Sequence, residues 1–135
     1  MSATNKKLLS VIELGGYTDV MSVYQEFAYQ VTQEYSARKA IAYLKKNQVD
    51  VIVAEFNYQH TFRDRLSNLE SIIAAAQKIP DVQFIVLYER EFEEYLDKLR
   101  AHYNFSAEIV FPVTPQKMRS ALVGLNCQAS TSGIS

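Results

Sequence analysis

The chain has 135 residues, of which 48% are hydrophobic and 21% charged, and it contains only four glycines and three prolines. This length suits a single domain, and this composition excludes wholesale disorder, collagen-like repeats and low-complexity character. Fourteen basic and fifteen acidic residues leave a formal net charge of −1, so no whole-protein field draws the chain to nucleic acid or to an anionic membrane.

The single cysteine, Cys127, excludes an internal disulfide and a cysteine-rich zinc site. No apolar run approaches the roughly 18 residues that a membrane-spanning helix needs, and the N-terminal segment shows no signal-peptide core. We therefore expect a cytoplasmic protein without nucleic-acid or membrane partners. Residues 1–125 are expected to form the domain, and the small polar residues of 126–135 a disordered tail or a linker remnant.

Along the chain, apolar runs of strand length alternate with longer segments of helical period. The runs predict five strands: Leu8–Ile12, Tyr29–Tyr35, Val49–Phe56, Val82–Tyr88 and Ala107–Phe111. The second strand has one polar face and is expected near an edge of the sheet. The third is continuously apolar from Val51 to Ala54, as expected for a strand covered on both faces.

Helices are predicted where apolar residues recur at spacings of three and four. The predicted helices cover Val20–Phe27, the segment after the N-cap Ser36, Leu66–Ala76, Phe92–Tyr103, and Thr114–Gly124. Strands that alternate with helices imply a parallel sheet with helices on both faces. The predicted fold class is therefore α/β, a doubly wound, flavodoxin-like sheet in the order 2-1-3-4-5, with its functional site at the carboxyl ends of the strands.

One ungapped segment resembles a known family. Residues 40–55 match helix 2, the following turn and strand 3 of a response-regulator receiver domain: Asp50 closes the turn, and the family's phosphoacceptor Asp falls at Glu55. Ile79-Pro80-Asp81 before strand 4 and Phe111-Pro112 after strand 5 also stand where the family places such residues. The resemblance extends from about Lys7 to Gly124 and indicates a chemotaxis-regulator-like fold.

The resemblance implies a phosphorylation site that this sequence keeps only in part. The family uses an acceptor Asp, an acidic pair ending strand 1 and a backbone carbonyl for Mg²⁺, a Ser or Thr ending strand 4, and a Lys before a Pro. Here one acid of the pair remains, Glu13. The pair corresponds to Ile12-Glu13 or, if the alignment shifts by one residue, to Glu13-Leu14. Asn57 stands where the family presents the carbonyl, and Pro112 is also retained.

The remaining positions depart from the pattern: Glu55 replaces the Asp, Tyr88 the Ser or Thr, and Phe111 the Lys. The extra methylene of Glu55 moves its carboxylate by roughly 1–1.5 Å, and a displacement near 1 Å can reduce a rate on the order of a hundredfold. These changes predict a degenerate receiver, or pseudo-receiver, without catalytic residues. It would act in two-component-type signalling by phosphorylation-independent protein–protein interaction.

Two alternatives remain open at this stage. In the first, the chain is an atypical receiver that still binds a divalent cation, Mg²⁺, and a phosphoryl group near Glu55, with Glu13 and the Asn57 carbonyl as the weak metal candidates. In the second, it is a small flavodoxin-like nucleotide-binding protein or enzyme. Otherwise no cofactor is expected. Glu55 itself has two interpretations, as a mimic of phosphorylated Asp or as a polar strand end that faces solvent.

The predicted fourth helix carries the candidate interaction face. Phe92, Tyr95 and Leu99 lie at helical spacing, and the charged residues around them give a mixed-charge rim. In receivers the face made by helix 4, strand 5 and helix 5 carries dimerisation or output contacts, so the resemblance implies a signalling protein or a second copy as partner. An ordinary amphipathic helix explains the same spacing. The family's aromatic switch residue on strand 5 has its place at Glu108.

Overall fold

The computed structural model describes residues 6–12, 20–56 and 68–131. They form a five-stranded, all-parallel sheet in the order β2-β1-β3-β4-β5. The strands are β1 Lys7–Val11, β2 Gln30–Glu34, β3 Val51–Phe56, β4 Gln83–Tyr88 and β5 Ala107–Val110. The helices are α1 Met21–Glu26, α2 Ala37–Lys46, α3 Asn68–Ala76, α4 Glu93–Arg100 and α5 Pro115–Thr131, with a 3-10 turn Arg90–Phe92 before α4. The predicted strand order is confirmed.

The core lies in two layers because successive strand residues point to opposite faces of the sheet. On one face, Ile52, Ala54 and Phe56 of β3 pack with residues of α2, α3 and α4. On the other, Val51 and Val53 pack with residues of α1 and α5. All six residues of β3 are buried, which confirms the strand covered on both faces that its apolar run predicts.

The outer strand β2 is half-buried apart from the exposed Gln30, and it pairs with β1 at one edge of the sheet, as its polar face predicts. The next helix begins at the predicted cap: the Lys39 backbone N–H donates to Ser36 Oγ at 3.2 Å. Lys45 and Lys46 occupy its last turn, where positive charge complements the helix dipole.

The last helix is longer than the sequence predicts. It begins at Pro115, where the Lys117 backbone N–H donates to Thr114 Oγ at 3.2 Å, and it continues to Thr131. The predicted disordered tail is therefore wrong for residues 126–131, and 132–135 lie outside the described residues. Leu125 is buried, and no proline or glycine stands between Gly124 and Thr131 to end the helix.

Within these described ranges, no helix is long and apolar enough to cross a membrane. The cytoplasmic location stays a prediction.

Replacing Ile52 by Ala is expected to lower the free energy of unfolding by about 2–5 kcal/mol, because the cavity opens in the fully buried central strand. Urea denaturation measures the change. The control Val123→Ala alters a residue that is 45% exposed on α5 and is expected to change stability by less than about 0.5 kcal/mol. Equal losses in the two variants would contradict the assignment of β3 as the centre of the core.

Candidate functional site

The carboxyl ends of β3, β4 and β5 lie side by side, as the sequence predicts for a parallel sheet. In the register of the strands, Glu55 stands beside Leu87, and Phe56 stands beside Tyr88, which in turn stands beside Val110. Since paired residues of adjacent parallel strands point to the same face, Glu55 and Tyr88 point to opposite faces. The Tyr88 side chain accordingly packs in the α2–α3–α4 layer with Phe56.

Glu55 is buried at the end of β3, with 2% of its surface exposed. The interpretation of Glu55 as a polar strand end that faces solvent is therefore wrong, because the elements around the central strand cover this position as well. Ser10 on the neighbouring β1 is 3% exposed and is the other buried residue of the polar or charged class in the described chain. Strand alternation places both on the α1–α5 face of the sheet.

Sequence reasoning missed Ser10. The one available signal was a hydroxyl in the middle of an otherwise apolar strand, Leu8–Ile12. Ser10 and Glu55 place two polar groups on a face of the sheet whose other buried residues, in the described ranges, are apolar. Burying a hydroxyl or a carboxylate is costly unless it makes polar contacts.

Phe111 follows β5 where the family pattern has Lys. Its backbone N–H donates to the Tyr88 carbonyl at 2.8 Å, and its side chain is half-buried against the α1–α5 layer. The Phe111-Pro112 peptide bond is cis. The cation at this loop is Lys117, whose Nζ donates to the Val110 carbonyl at 3.1 Å and to the Pro112 carbonyl at 3.0 Å. Lys117 therefore holds the loop that follows β5, a role that the sequence pattern did not reveal.

Of the three residues predicted around the acidic pocket, the structure describes Glu55. Glu13 and Asn57 lie outside the described residues. In the part of the chain that the structure describes, no group of three His, Cys, Asp or Glu side chains is placed to hold a metal ion. Mg²⁺ in proteins usually keeps several of its waters. A carboxylate that is 2% exposed does not fit a hydrated ion of this kind.

Two of the three residues of the predicted interaction face are partly accessible, and their role in binding stays a prediction. Phe92 and Tyr95 are half-buried, and each packs one side against the core. Lys98 Nζ lies 5.8 Å from the centre of the Tyr95 ring. Leu99 is only 6% exposed and belongs to the core, so its assignment to the interaction face is wrong. Helical spacing groups the three residues together but does not say which of them points at the sheet.

The fold of this chain is similar to that of several solved structures. The CheY-like response regulator receiver domain protein from Methanospirillum hungatei JF-1 is similar with a TM-score of 0.72 over 96% of this chain and 99% of that one, at 15% sequence identity. The chain has the fold of a response-regulator receiver domain. The chemotaxis response regulator CheY4 of Vibrio cholerae gives 0.66 at 20% identity, covering 89% of this chain and 98% of its own.

A third receiver fold, the response regulator receiver domain protein from Clostridium thermocellum, is similar with a TM-score of 0.66 at 16% identity, over 92% of this chain and 97% of that one. No protein-family model matches the sequence, and no curated protein matches it. The structural likeness confirms the receiver-like fold that the residue pattern implies.

Replacing Glu55 by Ala is expected to lower the free energy of unfolding by about 1–3 kcal/mol, because the change removes a buried side chain together with its polar contacts. Chemical denaturation monitored by circular dichroism measures this loss. Glu91→Ala removes the same group from an exposed position and is expected to stay within about 0.5 kcal/mol of the wild type. Unchanged stability in Glu55→Ala would contradict a structural role for this carboxylate.

Proposed function

We propose that this chain is a receiver-like signalling module that acts through protein–protein contact and does not depend on phosphorylation at position 55. The burial of Glu55, at 2% exposure, carries the proposal. A phosphoacceptor has to meet its donor at the strand end, and phosphoryl transfer needs close, in-line positioning. A covered carboxylate does not offer this approach.

The neighbouring positions also support the proposal. Phosphoryl transfer is assisted mainly by charges that neutralise the transferred group. Phe111 is apolar and packs against the α1–α5 layer, and the nearby Lys117 ammonium is bonded to two backbone carbonyls. Tyr88 lies in the opposite layer from Glu55. Phe111 therefore offers no cation at its family position, and Tyr88 directs its side chain away from the Glu55 face.

The surface that we assign to partner binding is the exposed side of α4 with its preceding turn. Phe92 and Tyr95 present part of their rings there, between the exposed acids Glu93 and Glu94 and the base Lys98. Aromatic side chains at a charged rim are typical of protein interfaces. A signalling protein or a second copy of the chain, bound through α4, β5 and α5, fits this surface.

Phosphorylation independence is tested with Mg²⁺ and acetyl phosphate or beryllofluoride. We expect no change in the amide resonances of Phe56 and Tyr88 and no added phosphoryl mass, because Glu55 is covered. A receiver domain with the acceptor Asp, treated in parallel, is the positive control for the reagents.

Glu55→Asp restores the acceptor alone and is expected to remain unmodified, since Phe111 still stands in place of the cation. Ligand-dependent shifts at the end of β3, or a phosphorylated wild-type protein, would overturn the proposal and favour an atypical receiver.

The binding surface is tested through self-association, with a second copy as the partner. Tyr95→Arg is expected to weaken the dimer about tenfold, as removal of an aromatic interface residue commonly does. Sedimentation equilibrium measures the dissociation constant, and thermal unfolding checks that the variant is folded. Tyr35→Arg is the control, since Tyr35 is 64% exposed and follows β2 at the opposite edge of the sheet.

Unchanged association in both Tyr95→Arg and Phe92→Arg would remove α4 as the binding surface. A wild-type protein that stays monomeric at high concentration would contradict the homodimer and leave a different protein as the partner to seek.

A further inference from the structure

Helix α4 is joined to strand β5 through one arginine. Arg100, in the last turn of α4, places its Nε 3.1 Å and 3.0 Å from Glu108 Oε1 and Oε2, and its Nη2 2.6 Å from Glu108 Oε1. Its Nη1 bonds the Asp97 carboxylate and lies 3.7 Å from Glu93 Oε2. A single guanidinium therefore meets three carboxylates, two from its own helix and one from the strand.

The Arg100–Glu108 pair is better shielded from water than the Arg119–Glu26 pair, the second arginine–carboxylate fork among the described residues. The Arg100 and Glu108 side chains are each 27% exposed, whereas those of Arg119 and Glu26, which join α5 to α1, are 45% and 48% exposed. Ion pairs contribute more when they are shielded and when the guanidinium engages the carboxylate through several hydrogen bonds. The Glu108 hydrogen bonds also raise the pKa of Arg100 above its ordinary value.

Arg100 also reaches the end of β4. Its Cζ lies 5.8 Å from the centre of the Tyr88 ring, within the range of a cation–π contact. Tyr88 is 9% exposed and belongs to the same core layer as the apolar face of α4. Arg100 therefore contacts Tyr88 at the end of β4 and Glu108 on β5.

Apolar anchorage of α4 is limited. Of its eight residues, Leu96 and Leu99 are buried, and Tyr95 packs partly against the same core layer. The Arg100 contacts add to these three apolar contacts. Tyr88 stands where the family pattern has the Ser or Thr of strand 4, and Glu108 stands where it has the aromatic switch residue of strand 5. Both contact Arg100.

We propose that Arg100 is a latch that fixes α4 on β4 and β5 and so keeps the exposed side of α4 in one preformed arrangement. Its importance for partner binding rests on the proposed function. A surface that is ordered before binding loses less conformational entropy when the partner arrives. Arg100 acts through Glu108 and Tyr88 and is therefore a positioning residue, which need not touch the partner.

Hydrogen–deuterium exchange on the free protein tests the latch. In Arg100→Gln we expect amide exchange across Glu93–Arg100 to accelerate roughly tenfold, since local opening is governed by contacts of the opening segment. Exchange in β1 and β3, and the unfolding midpoint, are expected to change little. Arg119→Gln, which breaks the comparable pair with Glu26, is the matched control and is expected to leave α4 unchanged.

Two further variants separate the latch from general helix stability. Glu108→Gln, on the strand, is expected to loosen α4 as Arg100→Gln does, and the double variant to add little, because the two residues act as one pair. Arg100→Lys keeps the charge but not the planar fork and is expected to restore part of the protection.

Unchanged α4 exchange in both single variants would overturn the latch. Equal acceleration throughout the sheet would overturn it as well, by showing a role in global stability alone. Neither result depends on a partner or on phosphoryl chemistry, so a phosphorylated Glu55 would overturn the proposed function and leave the latch standing.

Discussion

Burial of the central strand on both faces is the constraint on which the rest of the structure depends. All six residues of β3 are covered, which requires helices on both faces of the parallel sheet. The same constraint reaches Glu55, because the carboxyl end of β3 is as covered as its middle. A charged residue at that place is held inside the protein, where burial without polar contacts would be costly.

The sequence predicted the strand order because its signals are local. Apolar runs identify the strands, and helical spacing identifies the elements between them. The sequence predicts that α5 ends near Gly124, but the helix continues to Thr131. Small polar residues do not prevent a helix from continuing, and Leu125 is buried at the start of this extension. Nothing in residues 126–131 forces the helix to continue, so only packing and chain context decide where it ends.

The site was predicted less well because its geometry depends on orientation. Parallel pairing alone predicts that β3, β4 and β5 end at the same edge of the sheet. The register of β3 and β4 is needed to show that the side chains of Glu55 and Tyr88 point to opposite faces. Leu99 shares a helical spacing with Tyr95 yet faces the core. The pair of Arg100 and Glu108 joins a helix to a strand across an intervening loop, and no rule of sequence spacing identifies such a contact.

The departures from the family pattern are mutually consistent in physical terms. Phe111 packs against the α1–α5 layer, so a Lys placed there alone would have to lose apolar contacts before its charge could act. Tyr88 is packed beneath the Arg100 guanidinium, so a smaller Ser or Thr would leave a cavity beside the latch. Each residue has a structural role where the family pattern has a chemical one. Restoring a single family residue is therefore expected to carry a packing penalty.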